Sequence, residues 1–454
     1  MGAVRRGKFL PNLPHHLALL GLVVVALSVA SFILQDPGAL RSPAVTSAPA
    51  RPDTDRQIES LQLRLQARPE APHSYVQLGS AYLQKARETG DLSYYARAEA
   101  AARKALELEP GYAGAMVLMG AVALGSHQFP EALAWAGSAL ELDQRNPDAY
   151  GVLGDAQIEL GQFEAGIASY QSMADLKPNL NSYARVSHAR ALAGDVPGAI
   201  EVMEMAAAAG AARTESAAWA RVQLGDLYFN SGRVGEAADH YEAALRHFAG
   251  YPPALASLSK ARAAQGRHAE AIDLLEQAVA IVPQPASLAA LGDLYALTGQ
   301  PERAQLQYDT VELIARLAEA NQQVYNRDLA LFYADHGLKP DLALDLAQRE
   351  FQVRQDIYGY DALAWALLQN GQPAEAAQAI EGALKLGTQD ASIFYHAGMI
   401  YYGLNDYQQA RFYLEQALAL NPHFSILHAD KARDALHEVN RKLAGARHSG
   451  AAAQ

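Results

Sequence analysis

The stretch "LGDLYALTGQPERA", Leu291 to Ala304, decides the fold. Leu291, Leu294 and Tyr295 follow an i, i+3, i+4 spacing and so line one face of a helix. Gly299 stands where a helix ends in left-handed backbone, and Pro301 where the next helix begins. Proline fits there because the first turn leaves its N–H groups unused. Ala304, Tyr308 and Val311 then mark the inner face of the second helix. The stretch therefore predicts a helical hairpin. Two relatives lie upstream, "LGDLYFNSGRVGEA" (Leu224 to Ala237) and "LGDAQIELGQFEAG" (Leu153 to Gly166). Each carries an acid directly after a glycine inside an apolar run, and the role of that acid is the main functional question.

The hairpin recurs. Gly120 and Gly154 are 34 residues apart, as are Ala237 and Ala271, and Ala376 and Ala410. A period of this length means stacked two-helix units rather than one closed core. Gly79, Gly120, Gly154, Gly225, Gly292 and Gly398 occupy one fixed place in the unit. Ala98, Ala132, Ala199, Ala237, Ala271, Ala304, Ala376 and Ala410 occupy another. Two helices approach closely only where one offers a small residue to the larger side chains of the other. Pro110, Pro178, Pro283 and Pro422 close several units, since proline is tolerated at a helix start and not inside it.

The order Leu-Gly, Tyr three residues later, then Ala, an aromatic residue or Leu, Ala, and Pro resembles the tetratricopeptide repeat. Leu291, Gly292, Tyr295, Ala304 and Tyr308 match its signature, as do Leu224, Gly225, Tyr228, Ala237, Tyr241 and Ala244. About ten units run from roughly His73 to Pro422, with a half-unit helix before them and a capping helix after. The resemblance implies an all-α fold, an α-solenoid wound as a right-handed superhelix with an open concave groove, over residues 57–442. Some units depart from the pattern. The first carries extra residues around "ARETGDLSYY", and the fourth has Val186 and Ser187 where Leu-Gly is expected. Val311 to Asp335 slips in phase, which suggests an elongated helix or a boundary between subarrays, and Ala206 to Ser216 is a second candidate break.

Outside the repeats, Arg5, Arg6 and Lys8 precede "LALLGLVVVALSVASFIL", Leu17 to Leu34, an uncharged run of 18 residues. It is long enough to cross a bilayer as a single helix, and the basic flank (1–16) stays in the cytoplasm. The expected location is a single-pass cell membrane protein with its C-terminal body extracytoplasmic. The alternative is a secreted protein cleaved after Ser28, Val29 and Ala30, a small-residue site. Residues 35–56, rich in Pro, Ala and Ser, read as a disordered linker, and 443–454 as a disordered tail.

The chain has a net charge of −12. Six of its 37 basic and three of its 49 acidic residues precede residue 57, which leaves −15 on the body. A nucleic-acid ligand, which needs clustered Lys and Arg, is not expected. The absence of cysteine excludes disulfides, thiol catalysis and Cys-ligated zinc. No catalytic motif stands. Ser257 to Lys260 matches S-x-x-K by letters only, within a predicted helix. His437 and Glu438 begin like a zinc motif, but Arg441 replaces the second His. His423, His428 and His437 are too widely spaced for one helical metal face. The expectation is no enzyme, no cofactor, no metal and no small-molecule substrate.

Asp293 lies about 100° around the helix from Gly292. By resemblance to the family, that position lines the groove, so Asp155, Asp226 and Asp293 would face a cationic or donor-rich partner. Three carboxylates on separate units cannot flank one bond, which argues against acid–base catalysis. The plain alternative is that each solvates an open face or caps locally. Trp219, Phe229, Phe332, Trp365, Tyr395, Met399 and Tyr402 are further groove candidates, because aromatic anchors dominate many binding surfaces. Packing between units is the alternative for each. Repeats that grip acidic chaperone tails carry Lys, Asn and Arg in the groove. Here Val76, Ser80, Gly151, Asp155, Val222 and Asp226 hold those places, so that clamp is missing. The expected function is a membrane-tethered scaffold or adaptor that holds a partner protein or peptide in envelope assembly or export. A scaffold for polysaccharide export is the alternative.

Overall fold

The computed structural model describes residues 53–320 and 326–451. The expected cytoplasmic segment 1–16 and membrane helix 17–34 lie outside the described residues, as does most of the 35–56 linker. Among the described residues no helix is long and apolar enough to cross a membrane.

The described residues form helices and no strand. After α1 (Asp53–Ala67), which starts inside the expected linker, come ten hairpins. They are α2/α3 (Pro72–Thr89, Ser93–Leu108), α4/α5 (Ala113–Gly125, Phe129–Leu142), α6/α7 (Pro147–Glu159, Phe163–Leu176), α8/α9 (Leu180–Leu192, Val196–Ala209) and α10/α11 (Glu215–Asn230, Val234–His247). The second five are α12/α13 (Pro252–Ala264, His268–Ile281), α14/α15 (Pro285–Leu297, Pro301–Ala320), α16/α17 (Asn326–Asp335, Pro340–Val353), α18/α19 (Ile357–Gln369, Pro373–Leu384) and α20/α21 (Ala391–Gly403, Tyr407–Leu420). The capping helix α22 (Ala429–Ala451) continues through most of the segment expected to be a frayed tail.

Each hairpin closes where its small residues meet. The repeated alanines, Ala98 through Ala410, are all buried. A Cβ at Gly225 would enter the ring of Tyr241, and one at Gly292 the ring of Tyr308. The fourth unit's departure has a physical reason. Ser187, in place of Gly, donates its hydroxyl to the Ala199 carbonyl at 2.7 Å, and Ser259 does the same to Ala271 at 2.8 Å. The small residue faces a carbonyl of the second helix, so a serine there turns a tight contact into a hydrogen bond. Neither candidate break interrupts the array. One apolar core spans Ala206, Ala207, Ala218 and Ala220, and another joins Leu288 and Val311 to Leu329 and Tyr333. The phase slip is the length of α15, 20 residues.

The superhelix does not leave its concave groove open along its whole length, as the resemblance implied. Its second coil rests on its first. The hairpin turn at Gly90 meets Val282, that at Gly161 meets Gln355, that at Gly194 meets Gly387, and that at Gly232 meets Leu420. The last helical turn of a first helix leaves carbonyls without intrahelical partners. Three of these are taken by donors of the next coil. The Gln355 N–H donates to Glu159 O at 2.8 Å, Thr388 Oγ1 to Leu192 O at 2.6 Å, and Asn421 Nδ2 to Phe229 O at 2.8 Å. The last two pairs are 196 and 192 residues apart, which is the length of one coil. Arg354 adds an ion pair to Glu159 at 2.7 Å and lies over the Phe129 ring at 5.1 Å. Apolar packing follows the same seam, with Ile158, Phe163 and Leu192 in one cluster with Ile357, Ile393 and Ile400.

Candidate functional site

The coil surrounds a half-open cavity of about 620 Å³, within the size range of ordinary ligand pockets. Its wall combines α6, α8, α10 and α12 of the first coil with Tyr358, Thr388, Gln389 and Asp390 of the second. Asp155 and Asp226 line it, and so does Trp219, which is half-buried.

None of the three acids is free. Arg185, on the next hairpin, grips Asp155 with both ends of its guanidinium, Nε to Oδ1 at 2.8 Å and a terminal nitrogen to Oδ2 at 2.6 Å. Asp226 accepts from Tyr241 Oη at 2.7 Å and from Ser257 Oγ at 3.4 Å. Asp293 accepts from Tyr308 Oη at 2.8 Å and pairs with His336 Nε2 at 2.7 Å. The pattern is common to all three. A tyrosine fifteen residues on, Tyr170, Tyr241 or Tyr308, lies in the second helix of the same hairpin. Its ring covers the preceding glycine, and at Asp226 and Asp293 its hydroxyl reaches the acid. A side chain of the following hairpin supplies the other partner. The acids therefore join neighbouring repeats, and the reading that all three display charge to a cationic partner is corrected. Asp293 does not line the cavity; it is 8% exposed and enclosed by Tyr308 and His336.

The aromatic candidates divide as well. Phe229, Phe332, Trp365 and Tyr395 are buried in repeat packing and offer no groove surface. Phe229 carries Lys260 Nζ over its ring at 4.2 Å. Trp365 donates Nε1 to Asp335 Oδ1 at 2.8 Å. Met399 and Tyr402 are half-buried against the C-terminal core, and Tyr402 meets Tyr407 edge-on at 6.0 Å.

Sequence reasoning missed Arg185, His188, Lys260 and Asp390. The signal was present for two of them. His188 and Lys260 follow Ser187 and Ser259 as Asp155, Asp226 and Asp293 follow glycines, so the register alternates acid and base along the cavity wall. Lys260 is exposed to the cavity, without a carboxylate in contact. His188 is exposed to the cavity, and the protein around it holds its pKa below the usual imidazole value, because desolvation outweighs the pull of Asp155 and Asp356. Burial pushes Asp226 up against the opposing pull of Lys260. Asp390 is likewise raised, by burial and then by Asp361, although it accepts from the Ser392 and Ile393 N–H groups at the start of α20. The cavity thus offers an amine, carboxylates, amides and an indole in one place. That suits binding, and no nucleophile–base pair is assembled in it.

With this geometry in place, the tetratricopeptide-repeat family matches residues 117–181, 222–286, 359–381 and 391–424. The chain contains tetratricopeptide repeats. Three of the solved structures that resemble it are these. TTC0263, a thermophilic tetratricopeptide protein of Thermus thermophilus, is 21% identical, covers 39% of this chain and 91% of its own, and has a TM-score of 0.34. Human IFIT1, solved as a dimer with m7Gppp-AAAA, is 17% identical over 74% of this chain and 76% of its own, TM-score 0.49. Pseudomonas aeruginosa pilF is 18% identical over 55% and 93%, TM-score 0.31. No curated protein matches the chain. Tetratricopeptide proteins are scaffolds that commonly bind protein or peptide partners and are generally not catalytic.

Proposed function

We propose that this chain is a scaffold that holds a short extended segment of a partner protein inside its coil, and that residues 17–34 tether it to a membrane with the coil outside the cytoplasm. One observation carries the binding reading: Lys260, Asp226, Asp390, Gln389 and Trp219 converge on a cavity built from both coils. An extended segment has free backbone donors and acceptors, and amide and charged groups on the wall can pair with them. Because Asp155 is held by Arg185 and Asp293 by His336, a purely cationic partner is not favoured. A segment with both a donor and an acceptor side chain suits Asp390 and Lys260 better. A role in envelope assembly or export follows from the proposed tether and from it alone. The polysaccharide alternative needs open aromatic platforms, and Trp365 and Tyr395 are buried.

A photo-crosslinking residue at Gln389, on the cavity wall, should yield an adduct with a protein partner in intact cells of the source. The same residue at Gln305, exposed on α15, should not. Identical products from both positions, or no protein adduct from Gln389, would overturn the reading that the cavity binds the partner. A reporter active only in the cytoplasm, fused after Gln454, should be silent; activity there would overturn the orientation.

A further inference from the structure

Asp335 ends α16, His396 lies in α20 and His428 precedes α22, so the sequence gives no sign that they meet. In the fold, one ligand atom from each lies within 4.8 Å of the others. We propose that Asp335, His396 and His428 form a buried site for a divalent transition-metal ion, of which Zn²⁺ is the best fit, tying the capping helix to two hairpins.

Three features point to an ion rather than to ordinary packing. The first is His428 Nε2, which has no hydrogen-bond partner although its side chain is only 6% exposed. It sits 3.7 Å from Asp335 Oδ1, too far for a hydrogen bond. A buried imidazole nitrogen without a partner costs stability, and a metal bond would satisfy it. The second is His396, whose Nδ1 is 2.9 Å from Asp361 Oδ1, with both side chains at least nine-tenths buried. A carboxylate on one ring nitrogen fixes the tautomer and leaves Nε2 as the ligand, an arrangement found behind most metal-bound histidines. The third is the aromatic enclosure of the cluster. Trp365 stacks on His396 at 4.2 Å and donates to Asp335, and Tyr395 stacks on His428 at 4.9 Å.

Two imidazoles and one carboxylate suit Zn²⁺, with water in the fourth position. Bonds of about 2.0–2.2 Å require ligand atoms roughly 3.3 Å apart. The present separation of up to 4.8 Å is wider, so the three side chains close on the ion by about an ångström. The rival account is an ion-free network in which His396 sits between Asp361 and Asp335.

The test uses the full-length chain without a histidine tag, stripped with chelator and titrated with Zn²⁺ and with Co²⁺. One equivalent of each should bind, Co²⁺ with the visible bands of a low-symmetry site. His396→Gln and His428→Gln should each weaken binding at least about 100-fold, Asp361→Asn about 10–100-fold, and the exposed His423→Gln not at all. Zn-edge X-ray absorption on the unaltered chain should show two imidazoles, a readout that does not depend on any variant folding. No stoichiometric binding, fewer than two imidazoles at the edge, or binding indifferent to both histidine changes in folded variants would overturn the site.

Discussion

Replacing Gly194 with alanine measures the seam between the coils. Gly194 has φ +79°, a left-handed conformation that costs an alanine about 1–2 kcal/mol. Part of the change is offset by the stiffer unfolded chain, about 0.4–1 kcal/mol, so backbone alone accounts for about 1 kcal/mol. The new Cβ would also lie 2.5 Å from the Gly387 carbonyl oxygen in the next coil. A backbone carbonyl cannot swing aside as a side-chain tip can, so either the coils part or the contact is compressed. Overpacking of this kind costs about 1–3 kcal/mol. Gly266 is the internal control. It occupies the same place in its hairpin turn, has φ +74°, and has open space where its Cβ would be. Gly194→Ala should therefore destabilise by about 2–4 kcal/mol and Gly266→Ala by about 1. Urea midpoints by circular dichroism compare the two directly, without assuming two-state unfolding of a repeat array. Small-angle scattering in native buffer should show the Gly194→Ala coil expanded and the Gly266→Ala coil unchanged. If the two variants agree within about 0.5 kcal/mol and scatter alike, the coils do not touch and the cavity between them is wrong.

Three further outcomes follow from individual contacts. Ala376 is fully buried between the helices of its hairpin, so Ala376→Leu should cost roughly 1–3 kcal/mol; an unchanged urea midpoint would refute its place in the packing. Asp155→Ala takes two acceptors from Arg185 and should cost about 1.5–3 kcal/mol, and a double-mutant cycle with Arg185→Ala that shows no coupling would dismiss the link between those hairpins. His336 faces Asp293 with Nε2 and the Phe332 carbonyl with Nδ1, both at 2.7 Å, so both nitrogens meet acceptors and the charged ring fits best. Burial pulls its pKa down, but Asp293 and the Phe332 carbonyl outweigh that and hold it above the usual value. A raised folded pKa gives stability that is complete below about pH 6.5 and is lost as pH rises through the folded value. The melting-temperature gap between the native chain and His336→Gln should then shrink from pH 6 to pH 9; a constant gap would count against the charged pair.

The repeat was legible because it is local. A glycine, an alanine and a tyrosine at fixed spacing reflect one hairpin closing on itself, and ten such hairpins stand where the period places them. The coil was not legible, because it depends on small rotations accumulated over several units and on contacts nearly two hundred residues apart. Nothing near Thr388 announces that its hydroxyl will cap Leu192. The acids fall between these cases. Tyr241 and Tyr308 stand in plain view fifteen residues after Asp226 and Asp293, and reading the hairpin as two facing helices would have paired them. Their second partners, Ser257 and His336, depend on how the next hairpin is set. Phe229, Trp365 and Tyr395 are buried instead of open to a groove, because the neighbouring unit fills the space their register could have opened onto, and that packing is not written in the spacing of a single hairpin.

Seam and cavity share residues, which makes them one thermodynamic system. Thr388 lines the cavity and also holds Leu192 across the coils, and Leu192 lines the same cavity. A segment that contacts both walls binds only the closed coil, so its apparent affinity scales with the fraction closed. Gly194→Ala does not lie on the cavity wall, yet it should lower photo-crosslinking from Gln389 once the coil is mostly open. Each 1.4 kcal/mol that favours the open coil beyond that point costs about tenfold in affinity. By linkage, the partner segment should raise the urea midpoint of the native chain more than that of a variant whose coil stays open. If scattering shows Gly194→Ala expanded while the adduct from Gln389 is undiminished, the partner reads one coil only, and the cavity between the coils is not its site.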